Sequence, residues 1–187
     1  MQEVTSLIHN WGSGISHAIG LGGRDLSENV GGIMAMEALK MLLGNEGTEV
    51  ILLVSKPPSK KIAKKVLDVV REGEKPVVVC FLGKELSKVS NSSIPVVSRS
   101  NIRYSSDLEE AVLEALKFIN GNGKQPQILS IKSWVKQAEK LVKSLDSKRR
   151  YLRGLFSGGT LCYEAQQILT PILGKIYSNA PTNVLKY

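Results

Sequence analysis

Two unbroken apolar runs, EVILLVS (49–55) and KPVVVCFLG (75–83), constrain this chain more than any other feature. Each has strand length and shows no polar alternation, so each reads as a strand covered on both faces. The segment between them is built to cover one of those faces. Pro57-Pro58 ends the first run, Ser59 is placed to cap a helix, and KKIAKKVLDVVREG sets Ile62, Ala63, Val66 and Leu67 against Lys60, Lys61, Lys64 and Lys65 before Gly73 closes it. Strand, amphipathic helix, strand at this spacing means a parallel pair joined by a crossover helix. The fold class is therefore α/β, a parallel sheet with helices on both faces.

The remaining pattern extends that unit in both directions. Val4, Leu7, Ile8 and Trp11 share helical spacing over 3–11. GISHAIGLGG (14–23) reads as a short strand entering a Gly-rich loop, and RDLSENVGG leads into the apolar helix IMAMEALKMLL, with Gly44 as its stop. IPVVS (94–98) is expected as a third strand, and Ser106 with Glu109 as a capping box for LEEAVLEALKFI. GNGKQPQ (121–127) is a linker by composition. Ile131, Trp134, Val135, Ala138, Leu141, Val142 and Leu145 then mark one stripe of an amphipathic helix, placed either to pack on the preceding domain or to reach a partner. YLRGLF (151–156) is a strand candidate, followed by a Gly-Gly turn and a last helix with Pro171 near its end.

Bulk composition narrows the function classes. The 187 residues are 42% hydrophobic but only 5% aromatic, so the core is aliphatic. A net charge of +8 raises the question of nucleic acid. The charge sits on a helix face and in the cluster Lys148, Arg149, Arg150 and Arg153, with no interleaved aromatics and no recognised motif, so nucleic acid is not expected. No apolar run is long enough for a bilayer span, and MQEVTSLIHNW lacks the layout of a signal peptide. Cys80 and Cys162 offer no disulfide framework or metal spacing, which points to a reducing cytoplasm. His9 and His17 have no carboxylate or cysteine at ligand spacing, so no metal site is expected.

An internal echo accounts for the late position of the Gly-Gly turn. With Glu164 set over Glu3, YEAQQILTPILGKIYSN lies without gaps over QEVTSLIHNWGSGISHA, matching an early Glu and an apolar pair, Leu7-Ile8 against Ile168-Leu169. The chain then reads as a first unit lacking its leading strand (1–120), a linker and amphipathic helix (121–150), and the first part of a second unit (151–187). YLRGLF is the matching strand, and the empty slot beside the first sheet is a place it could fill, within the chain or from a second copy.

Taken together, AIGLGGRDLSENVGGIMAMEALKML, TEVILLVSKPP, KPVVVCFLG and LRGLFSGGTLCYEAQ resemble the FdrA family of NDP-forming acyl-CoA synthetase-type proteins, similar to the alpha subunit of succinyl-CoA synthetase. The resemblance implies flavodoxin-like ligase domains, here one domain and the start of another. It also implies that the CoA-binding domain preceding them is absent from this chain. CoA or a nucleotide would then act only in the longer protein, with no cofactor held by this chain. The expected role is that of a component of an oxamate carbamoyltransferase in purine and allantoin breakdown, working with partner subunits or by self-association.

Candidate site residues follow from the residues and from that resemblance. Ser157, Gly158, Gly159 and Thr160 form a turn before a helix, where backbone N–H groups and hydroxyls suit an anion. The residues alone leave this equal with an ordinary N-cap and glycine turn; the resemblance favours a phosphoryl site. Gly20, Gly22 and Gly23 with Arg24 and Asp25 form a loop at the carboxyl edge of a parallel sheet, where ligands of open α/β folds bind, although an Arg24–Asp25 surface turn reads nearly as well. Lys56 stands at the same edge as a positive charge for phosphate or carboxylate, or as a solvated lysine on a Pro-Pro turn. Cys162, with no base nearby, reads as structural.

The departures bear on mechanism. Relatives that work through a phosphohistidine carry a His in a Gly-His-Ala-Gly stretch, and a Glu that orients it. KELSKVSNSSIPVVS contains no His, and Ser55-Lys56-Pro57-Pro58 stands where the Glu belongs. Losing both argues against the imidazole relay. The expected work is binding of phosphate or acyl phosphate without a covalent histidine intermediate. The alternatives are a working NDP-forming acyl-CoA ligase and a non-catalytic scaffold that docks subunits through the 131–145 helix.

Overall fold

The computed structural model describes residues 1–82, 100–121 and 131–182. Its centre is a three-stranded parallel sheet in the order β1 (Ile51–Ser55), β2 (Val77–Phe81), β3 (Ile102–Ser105). The β1–β2 register pairs Ile51 with Val77 and Ser55 with Phe81, and Val77 pairs onward with Ile102. β2 is buried at every position, as its unbroken apolar sequence requires of a central strand.

Alternation along β2 feeds two separate cores. Val77, Val79 and Phe81 face α2 (Ile33–Gly44) and α3 (Lys60–Glu72), packing with Leu39, Ile62, Val66, Leu67 and Val70. Val78, Cys80 and Leu82 lie in the opposite cluster with Val4 of α1 (Gln2–Asn10) and with Leu108, Ala111, Val112 and Leu116 of α4 (Leu108–Asn120). The result is the expected α/β, flavodoxin-like arrangement of helix, sheet and helix layers. Ser59 caps α3 as read, accepting from the Ile62 N–H at 3.4 Å.

Several expectations change. Residues 14–23 form no strand, and Ile15 and Ile19 are exposed; Gly14, Gly20, Gly22 and Gly23 weaken strand formation, and among the described residues the outer edge of β1 stays without a partner strand. The cap of α4 shifts by one residue. Asp107 accepts from the Glu110 N–H at 2.8 Å, and the Glu110 carboxylate accepts from the Ser106 N–H at 3.2 Å. The strand expected at 94–98 and the His-free stretch 84–98 lie outside the described residues. β3 at Ile102–Ser105 carries little signal in the sequence because it is short, with Ile102 and Ser105 buried and Arg103 and Tyr104 only half-buried.

The last third departs most. α5 (Ile131–Ser144) leaves its apolar stripe exposed, with Trp134 at 55% and Leu141 at 64%. Residues 151–156 are coil and pair with no strand among the described residues, so YLRGLF does not complete the first sheet there. Residues 151–182 hold one helix, α6 (Gly159–Leu173), and no strand.

Candidate functional site

At the carboxyl edge of the sheet, the backbone is held to the last residue of β1. The Leu82 N–H donates to the Ser55 carbonyl at 3.0 Å, and Ser55 Oγ donates to the Lys56 carbonyl at 2.7 Å. Lys56 is the first residue past the ladder, exposed, and followed by Pro57-Pro58 and the capped start of α3. A flexible side chain therefore stands on a stiff base.

The Gly-Asp loop is differently employed. Asp25 is buried, and its two carboxylate oxygens accept from the N–H groups of Met34 at 3.0 Å and Ala35 at 2.9 Å. It thereby fills the N-terminus of α2 from outside the helix, where a negative charge is favoured. Gly31 and Gly32 both adopt left-handed backbone, and a Cβ on Gly32 would meet Ile62 Cγ2 at 3.2 Å and Leu26 Cδ2 at 3.3 Å. Much of the RDLSENVGG signature is thus accounted for by seating α2 against α3. Gly22, at φ 75°, Gly23 and Arg24 remain exposed, and Arg24 does not pair with Asp25.

α6 docks on the other face. Leu161 and Tyr163 pack against the α1/α4 cluster, and Glu164 Oε1 accepts from the Leu108 N–H, the first of α4, at 2.9 Å. Burial pushes the Glu164 carboxyl above its ordinary range, against the pull of that hydrogen bond, and Asp107, Glu3 and Glu109 push it the same way. Lys56 Nζ lies 5.6 Å from the centroid of the Tyr163 ring, within cation–π reach. The start of α6 has no side-chain cap, and Ser157, Gly158, Gly159 and Thr160 are all exposed. Within α6, buried Gln166 donates to the Cys162 carbonyl at 3.2 Å and to the Ala180 carbonyl at 3.0 Å, tying the following segment to the helix.

The structure thus brings Lys56 to the helix that the Ser157–Thr160 turn opens. Among the described residues, no hydrogen bond, ion pair or ring contact ties Gly22, Gly23, Arg24 or Asp25 to that pair. The sequence does not mark Tyr163 and Glu164 as site neighbours. Their partners are 107 and 56 residues away in sequence, and nothing local signals them. Among the described residues no group of three or more His, Cys, Asp or Glu side chains could hold a metal ion. None of the helices among them is long and apolar enough to cross a membrane.

Residues 1–83 match the CoA binding domain family. This corrects the expectation that such a domain is missing from the chain: the match covers α1, the Gly-Asp loop, α2, β1, α3 and β2. It supports a relationship of acyl-CoA synthetase type for this part of the molecule, and makes CoA a ligand to consider for the chain itself. The chain is also 37% identical over 179 residues to uncharacterized protein YahF of Escherichia coli (strain K12), covering 95% of this chain and 33% of that protein. It therefore spans about a third of the relative's length.

Proposed function

We propose that this chain is part of an FdrA-type, acyl-CoA synthetase-like protein, and that it holds a phosphate-bearing substrate at the carboxyl edge of its sheet. The observation that carries the reading is the convergence of exposed Lys56 with α6, whose opening turn no side chain caps. An ammonium group set against the same helix as first-turn N–H groups that no side chain caps is an arrangement suited to an anion. The match over residues 1–83 favours the phosphates of CoA as one such ligand. In the longer protein, the reading extends to a carbamoyltransferase component of cytoplasmic allantoin breakdown, using carbamoyl phosphate with partner subunits and no phosphohistidine. The CoA match also keeps the NDP-forming ligase in view; it requires ATP to phosphorylate the protein.

The test is a thermal-shift titration of the 187-residue chain at low salt with CoA, carbamoyl phosphate, inorganic phosphate and ATP, on wild type, Lys56→Ala and Ser157→Ala. A binding ligand raises Tm by about 2–4 °C per kcal/mol of linkage for a chain of this size. The expected outcome is a shift that Lys56→Ala removes and Ser157→Ala reduces. No shift with any phosphate, or one indifferent to both substitutions, would refute the site.

A further inference from the structure

α5 carries a charge layout that its packing leaves unused. Between positions 134 and 145 the charged residues are Lys136, Glu139, Lys140 and Lys143. In a heptad with Trp134 and Leu141 at d and Ala138 and Leu145 at a, those four occupy every b, c and f position. The seam and its flanks, with Val135 and Val142 at e and Gln137 and Ser144 at g, are wholly uncharged. Trp134, Val135, Leu141, Val142 and Leu145 are nevertheless all exposed.

We propose that α5 is a homotypic pairing surface, covered by α5 of a second copy of this chain. The charge layout selects that occupant. Residues 134–145 hold three basic residues and one acidic, so two copies brought together here repel unless the charges point away from the seam. Every charge from 134 to 145 does so by position. An acidic partner helix would be recognised by basic residues at e and g, and there are none. Two heptads form a short seam, but apolar exposure continues beyond it through Leu152, Leu155 and Phe156. The resulting association is weak and reversible, with a dissociation constant on the order of micromolar. It is independent of the anion site, since it uses neither Lys56 nor the Ser157 turn.

Sedimentation equilibrium of the 187-residue chain across a range of concentrations tests this. Wild type and Lys143→Glu, altered at an outer position, are expected to dimerise with concentration. Leu141→Lys and Val142→Lys, charged at d and e, weaken association by about tenfold or more while keeping the wild-type Tm, because neither residue belongs to a core cluster. A wild type that stays monomeric, or a dimer that survives both lysine variants, overturns the proposal. So does a monomer that binds phosphatidylserine vesicles in wild type but not in Leu141→Lys, which would make the occupant a lipid surface.

Discussion

α3 and α5 are written in the same way and meet opposite fates. α3 sets Ile62, Ala63, Val66, Leu67 and Val70 against lysines and buries all five. α5 sets Trp134, Val135, Leu141 and Val142 against lysines and leaves them in solvent. The difference lies in what stands on either side. α3 is bracketed by β1 and β2, and a parallel crossover brings the connecting helix back onto the sheet it joins. No described strand follows α5, and the coil at 151–156 joins no strand among the described residues. An amphipathic stripe says that a face is made to be covered. Connectivity says by what.

The most direct attempt to break this contrast is truncation on both helices. Leu67→Ala removes a fully buried side chain and should cost about 2–5 kcal/mol in urea denaturation, whereas Leu141→Ala in dilute solution should stay within about 0.5 kcal/mol of wild type. Comparable losses would mean that α5 is packed after all. A smaller effect is expected at Asp25, where a buried carboxylate serves the bracketed half of the molecule. Asp25→Ala removes both acceptors from the first turn of α2 and should destabilise by about 0.5–2 kcal/mol. Ser157→Ala, at the uncapped start of α6, should leave the unliganded chain's stability unchanged within error.

The subtlest test falls at the join between the two regions. The Glu164 carboxyl is raised by burial and by neighbouring acids, so docked α6 holds that proton more tightly than the free segment does. Docking is therefore strongest in acid and weakens as pH rises through the carboxylate range toward neutrality. Glu164→Gln retains an acceptor for the Leu108 N–H without the penalised charge, and should flatten the pH dependence of α6 amide exchange. At neutral pH it should protect α6 as well as wild type or better. A Gln variant that exchanges faster than wild type at pH 7 would show that the ionised carboxylate is required.

Part of the site was legible in sequence and part was not, for identifiable reasons. Lys56 could be placed at the sheet edge because a buried strand ends at Pro57-Pro58. Ser157–Thr160 could be placed at a helix start because glycines precede an apolar run. The duty of Asp25 was hidden, since its helix begins eight residues later and the loop had to fold back before the carboxylate could cap it. The meeting of Lys56 with Tyr163, and of Glu164 with Leu108, joins residues far apart in the chain and leaves no periodic trace. The match over residues 1–83 likewise makes CoA possible for a segment whose Gly-Asp loop by itself suggests only an anion.

By itself, the amino-acid sequence determined the layers: two continuous apolar runs, a period-3.6 stripe between them and Gly, Pro and Ser at the boundaries leave little besides a parallel sheet covered on both faces. Those are local signals, carried by residues within a few positions of one another. Only the tertiary structure decided which helix termini are filled and which stripe stays exposed. Those outcomes depend on what the chain brings alongside from far away, and hydrophobic burial, which carries no address, does not specify its partner in advance.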